Sequence, residues 1–154
     1  MADYGYLIKY KIPYENGTDK KLKHNFFKVT STDVINCESK VGFILPSDLE
    51  EFYKKIGYGF MHTDDEFSLY QLLEPDTIAD IYNKEDIYGN DPDMEIYDNP
   101  DKIVFFKLNE GVYLTINRIK KNGFFEIQYF DKVIANSIEE FMEKFDKNPL
   151  FFED

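Results

Sequence analysis

Three stretches rich in β-branched and aromatic residues, 103–108, 112–119 and 124–130, follow one another with only short polar breaks between them. The breaks are Asn109-Glu110-Gly111 and Lys120-Lys121-Asn122-Gly123, and the Asn-Gly pair in the second favours a type I′ turn. Connections this short join antiparallel neighbours, so the spacing predicts a three-strand meander in the C-terminal third. A helix follows it. Ser137 and Glu140 stand at capping-box spacing before Ile138, Phe141, Met142 and Phe145, and Asn148-Pro149 ends the run.

Helical periodicity also precedes the meander. Leu45, Leu49, Phe52, Tyr53 and Ile56 form one apolar stripe opposite Ser47, Glu50, Glu51, Lys54 and Lys55, with Pro46 at the first turn and Gly57 as the stop. Upstream, Ser31, Thr32 and Asp33 offer N-caps for a short helix carrying Val34, Ile35 and Val41, with Gly42 as its C′ residue. Residues 67–73 read as a strand and, after Pro75, residues 76–82 as a short helix with Ile78, Ile81 and Tyr82 inward. Helices before and after an antiparallel sheet make the class α+β in a single domain. Residues 1–30 are an N-terminal arm. There Tyr4, Tyr6, Ile8, Tyr10 and Ile12 alternate with period two, as in an edge strand or an extended surface segment. Residues 31–154 form the α+β domain.

A chain of 154 residues with 43% hydrophobic content can bury one substantial core. Fifteen Phe and twelve Tyr, with no Trp, point to a core built on Phe with Tyr rings at its edges. The single Cys37 forms no internal disulfide, and the N-terminus carries neither a basic nor an apolar targeting region. The expected setting is a reducing cytoplasm. No apolar run approaches the roughly 20 residues of a membrane span, and a net charge of −12 is repelled by anionic lipid. Nucleic acid is an equally poor partner, since Arg118 is the only arginine.

All of that excess charge is segregated. Between Met61 and Asp101 thirteen carboxylates face one cation, Lys84, while the rest of the chain is balanced. Glu74 and Asp76 fall at a helix start, where they stabilise the dipole, and Asp80, further along that helix, is left open between this use and a partner. Asp64, Asp65 and Glu66 before the strand, and Glu85, Asp86, Asp91, Asp93, Glu95, Asp98 and Asp101 in the long polar stretch 83–101, have no such local use. They are the candidate partner-binding residues, and the field they create suits a basic protein. A solvated loop without a partner is the competing reading.

Chemistry finds little support. His24 and His62 have no sequence neighbour at metal-ligand spacing, and nothing beside Cys37 lowers a thiol pKa. A calcium loop fails by register. Starting at Asp91 it puts Ile96 where the turn needs Gly and Lys102 where a bidentate Glu belongs. No dinucleotide, phosphate-loop or nucleophile-elbow motif is present, so neither an enzyme nor a cofactor is expected.

The run Ile44-Leu45-Pro46-Ser47-Asp48-Leu49-Glu50-Glu51-Phe52-Tyr53-Lys54-Lys55-Ile56-Gly57-Tyr58-Gly59, preceded by Glu38 and Gly42, resembles the signature of the SUKH superfamily, also called the Smi/Knr family. Leu72-Leu73-Glu74-Pro75 before a helix, and Tyr129-Phe130-Asp131 through Ile134-Ala135-Asn136-Ser137 into Glu139-Glu140-Phe141, extend the match in the family's order over residues 31–145. Two features depart from it: Tyr58 sits between two glycines where the family often has Gly-Gly or Asn-Gly, and the arm before residue 31 matches nothing in the family. The resemblance implies a single α+β domain. Bacterial members largely serve as immunity proteins that bind and neutralise secreted nuclease or deaminase toxins, and eukaryotic relatives act as interaction regulators. Glu38, Gly42, Leu45, Pro46, Phe52, Gly57 and Gly59 carry over as scaffold, because the family varies most at its partner-facing surface. The expectation is therefore a non-catalytic module whose acidic residues meet a basic toxin domain, with a regulatory protein lacking a toxin partner as the first alternative and a divalent-cation-binding protein or enzyme as the weaker one.

Overall fold

The computed structural model describes residues 3–12, 19, 21–65, 69–85, 97 and 99–153. Within these residues seven strands form one antiparallel sheet whose spatial order is the chain order: β1 (His24–Phe27), β2 (Tyr58–Met61), β3 (Gln71–Leu72), β4 (Lys102–Asn109), β5 (Val112–Asn117), β6 (Ile127–Tyr129) and β7 (Lys132–Ala135). The three-strand meander is thus part of a longer one. β1 and β2 escape a periodicity reading because all four residues of β1 are buried and β2 is interrupted by Gly59. The Asn-Gly turn is present, with Asn122 and Gly123 both at positive φ and Lys121 and Phe124 exchanging backbone hydrogen bonds of 2.7 and 3.1 Å.

The described residues also form four α-helices: α1 (Ser31–Val41), α2 (Ser47–Lys55), α3 (Pro75–Tyr82) and α4 (Ile138–Lys147). Thr30 caps α1 in a reciprocal capping box with Asp33, and the Ser137 hydroxyl accepts the Glu140 N–H at 3.0 Å to open α4. Pro46 is the N-cap of α2 rather than its first helical residue, so the helix begins one residue later than the stripe suggests. In α1 the inward residues are Val34 and Cys37, while Ile35 is exposed.

Strand register fixes which side chains meet α2 and α4. Phe26, Leu72, Phe106, Leu114, Ile116 and Ile127 share that face, all fully buried, and Phe52 and Phe141 pack on it. A bulge decides the centre. Val104 pairs with Thr115 but Phe106 with Leu114, so Phe105 is the extra residue, and both Phe105 and Phe106 reach Phe141 at 5.9 and 5.2 Å. Burying two adjacent phenyl rings on one side of a strand requires such a break in alternation.

The N-terminal arm departs from its period-two pattern. Gly5–Tyr10 is a 3-10 helix, three residues per turn, so Tyr4, Leu7 and Tyr10 face the core while Tyr6 and Ile8 are exposed. Tyr4 stacks edge-on against Phe52 at 4.9 Å, and the Ile12 N–H donates to the Phe26 carbonyl at 2.7 Å, covering the edge of β1.

Candidate functional site

The scaffold residues singled out by sequence hold the helices and strands together. The Glu38 carboxylate accepts the Leu45 N–H at 2.8 Å, tying α1 to the entry of α2, and Gly42 ends α1 in the left-handed conformation at φ 87°. Leu45 and Phe52 are buried, and so is Pro46, the cap of α2. Gly57 and Gly59 let β2 approach β1: a Cβ on Gly57 would lie 1.9 Å from the Phe27 carbonyl oxygen, and one on Gly59 2.0 Å from that of Asn25.

Of the ten candidate partner-binding acids, Glu66, Asp86, Asp91, Asp93, Glu95 and Asp98 lie outside the described residues. The other four are exposed and fall into two places. Asp64 and Asp65 follow β2, where the Asp65 N–H donates to the His62 carbonyl at 3.1 Å. Glu85 ends the turn after α3, its N–H on the Asp80 carbonyl at 2.8 Å, and Asp101 opens β4, its carbonyl accepting the Arg118 N–H at 2.8 Å. Met61 sits level with the far end of β4 through the β2–β3–β4 register. The two groups are therefore a strand length apart, about 20 Å at roughly 3.3 Å per residue.

Tyr97 lies on the sheet face away from α4. Its hydroxyl accepts the Tyr113 N–H at 2.9 Å and its ring stacks on Phe130 at 6.4 Å. Burial raises the Tyr97 phenol above its ordinary pKa, against the Tyr113 hydrogen bond, so it stays neutral. Two hollows share the ring. One, of about 260 Å³, is lined by Ile81, Tyr82, Lys84, Pro100 and Val104; the other, about 250 Å³, by Lys102, Thr115, Phe130 and Asp131. Both are open, mixed surfaces suited to side chains of a partner rather than to an enclosed ligand.

The two histidines, which have no local partners in sequence, meet in space. His24 is fully buried; its Nδ1 accepts the His62 N–H at 3.0 Å, so its Nε2 carries the proton and donates to Asp146 at 2.6 Å. Burial drives the His24 pKa down to about 4, overriding the raising effect of Asp146. Burial alone would raise the Asp146 carboxyl, but hydrogen bonds from His24 and Lys23 outweigh it and hold it below its usual value. The His62 Nε2 donates to the Phe145 carbonyl at 2.7 Å. The cluster thus clamps the end of α4 to β1 and β2. His24, sealed from solvent with both ring nitrogens engaged, has no lone pair to offer a metal or substrate. Sequence could not flag the clamp, because 122 residues separate His24 from Asp146. Cys37 is buried as well, and burial pushes its thiol up to about 11, which suppresses the nucleophilic thiolate. Among the described residues no helix is long and apolar enough to cross a membrane, and no cluster of His, Cys, Asp and Glu is arranged to hold a metal ion.

Comparison with known proteins gives the scaffold a lineage. The model of the SMI1 / KNR4 family (SUKH-1) matches residues 28–144. A Bacillus subtilis (strain 168) protein named immunity protein YxxD is 31% identical over 134 residues, which is 86% of this chain and 90% of that protein.

Proposed function

The chain belongs to the SMI1 / KNR4 family (SUKH-1), and from that membership we propose that it is an immunity protein, which neutralises a cognate secreted toxin by binding it in the cytoplasm. The observation that carries the reading is the similarity to immunity protein YxxD along nearly the whole of both chains. The chain works by occupying the toxin's surface, without catalysis of its own. The toxin is of nuclease or deaminase type. Its basic nucleic-acid surface is what the acidic residues meet: Asp64 and Asp65 at one end of the sheet and Glu85 and Asp101 at the other, together with Glu66, Asp86, Asp91, Asp93, Glu95 and Asp98, which lie outside the described residues. A partner of opposite charge is captured with an on-rate raised on the order of 10- to 1,000-fold at low salt, and speed of capture is what an antidote needs.

Coexpression with the toxin domain encoded beside this gene tests the proposal. Rescue of growth and a 1:1 complex whose association rate falls steeply with salt are expected. Growth arrest despite coexpression would refute the immunity role. Undiminished binding after Asp64→Asn, Asp65→Asn, Glu85→Gln and Asp101→Asn are combined with neutralisation of Asp86, Asp91, Asp93 and Glu95 would remove the acidic surface from the mechanism.

A further inference from the structure

At the end of the sheet where β4 begins, a basic and apolar surface lies beside the acidic one. Residues 111–125 contain no carboxylate but hold Arg118, Lys120 and Lys121. Lys121 and Phe124, 52% exposed, close the tight turn, preceded by Ile119, 64% exposed, and by exposed Lys120, whose Nζ lies over the Phe125 ring at 5.6 Å and acts on Asp48 of the same chain. The Arg118 guanidinium stacks on the Phe43 ring at 4.6 Å, which places Ile44, 76% exposed, at the same end. Phe43 in turn packs on Tyr82 at 5.0 Å, whose hydroxyl donates to the Pro100 carbonyl at 3.1 Å. This chain of contacts leads directly to the acidic neighbours: Asp101 follows Pro100 and accepts the Arg118 N–H, and Glu85 lies three residues beyond Tyr82.

We infer that this end is a self-association surface whose occupant is a second copy of the chain. The argument is charge complementarity across a two-fold axis. Where a cationic patch and an anionic patch sit side by side, a two-fold rotation lays each on the opposite patch of the partner, so every attraction is made twice. Three aliphatic and aromatic side chains as exposed as Ile44, Ile119 and Phe124 are unusual together on a soluble monomer and mark a contact. In the dimer they form the apolar centre, with Lys120 and Lys121 of one copy facing Glu85 and Asp101 of the other. Asp64 and Asp65 lie at the other end of the sheet and stay accessible to a toxin in the dimer, whereas Glu85 and Asp101 meet either the second copy or the toxin, so toxin binding at this end excludes the dimer.

Sedimentation velocity of the full chain, from about 1 to about 100 µM at low and high salt, tests this. The wild type is expected to dimerise at the upper concentrations in low salt and to dissociate in about 0.5 M salt. The double variants Lys120→Glu with Lys121→Glu, and Glu85→Lys with Asp101→Lys, each place like charges across the axis and should remain monomeric. Mixed one to one, they again present opposite charges across the axis and should form a heterodimer. All four residues are exposed, so circular dichroism should show unchanged folds. A monomeric wild type throughout, variants that dimerise normally, or a mixture that stays monomeric would each overturn the inference. So would a monomer that binds anionic phosphatidylglycerol vesicles through Ile119 and Phe124, which assigns the tip to a lipid surface. Toxin neutralisation by the Lys120→Glu, Lys121→Glu variant separates failure of this inference from failure of the immunity reading.

Discussion

Acid should loosen this protein through His24 before its carboxylates matter. The unfolded chain takes a proton on this imidazole near pH 6.5, whereas the folded one holds it neutral down to about pH 4. The folded pKa is depressed, so well above pH 6.5 the two states bind the same number of protons and stability is unaffected. As pH falls below 6.5 the unfolded state alone gains the proton, and folding free energy drops by up to about 1.4 kcal/mol per pH unit. The loss is complete below pH 4 and totals about 3 kcal/mol, a large part of the roughly 5–15 kcal/mol typical of a domain. The structure explains the refusal: a proton on Nδ1 would point at the His62 N–H that now donates to it. Urea unfolding between pH 7 and pH 4.5, with the ring protons of His24 followed by NMR, measures both quantities. His24→Gln should be less stable at pH 7 by about 1–3 kcal/mol, for loss of the buried acceptor, yet flatter with pH. A wild type whose stability is level from pH 6.5 to 4.5, or a His24 ring that titrates near 6, would refute the reasoning. Asp146 acts in a lower window, its contribution being lost only as pH falls through the lower carboxylate range.

Two further outcomes follow from the packing. Gly57→Ala forces a Cβ into the Phe27 carbonyl at positive φ and should prevent soluble folding, whereas Gly42→Ala, with open space around it, should cost only about 1 kcal/mol of strain in thermal unfolding. Tyr53→Phe removes the hydroxyl that donates to the buried Leu73 carbonyl between α2 and the start of α3, and chemical denaturation should show a loss of about 1–3 kcal/mol with native circular dichroism.

What could be read without coordinates was local. The stripe Leu45, Leu49, Phe52, Tyr53 and Ile56 is buried throughout, the Ser137 cap and the Asn122-Gly123 turn form where their residues demand, and the scaffold motifs come in family order. Each of these depends on residues within one or two turns of one another, so the chain's own spacing carries the information. The arm misled because its apolar residues fit two periods. Tyr4, Leu7 and Tyr10 satisfy a three-fold repeat as well as Tyr4, Tyr6, Ile8, Tyr10 and Ile12 satisfy a two-fold one, and only contact with Phe52 selects between them.

Tertiary structure decided everything that joins distant residues. It extended four expected strands to seven by adding β1, β2 and β7, and β1 and β2 gain their identity from a register that two glycines permit. It gathered His24, His62 and Asp146 into one clamp. Of the acidic window, continuous in sequence, it set the described residues Asp64 and Asp65 at one end of the sheet and Glu85 and Asp101 at the other, where the Asp101 carbonyl accepts the Arg118 N–H. The physical reason is the same in each case. Net charge and periodicity are sums along the chain, whereas a binding surface depends on distance, and distance is set only when non-local strands pair and bring their ends together.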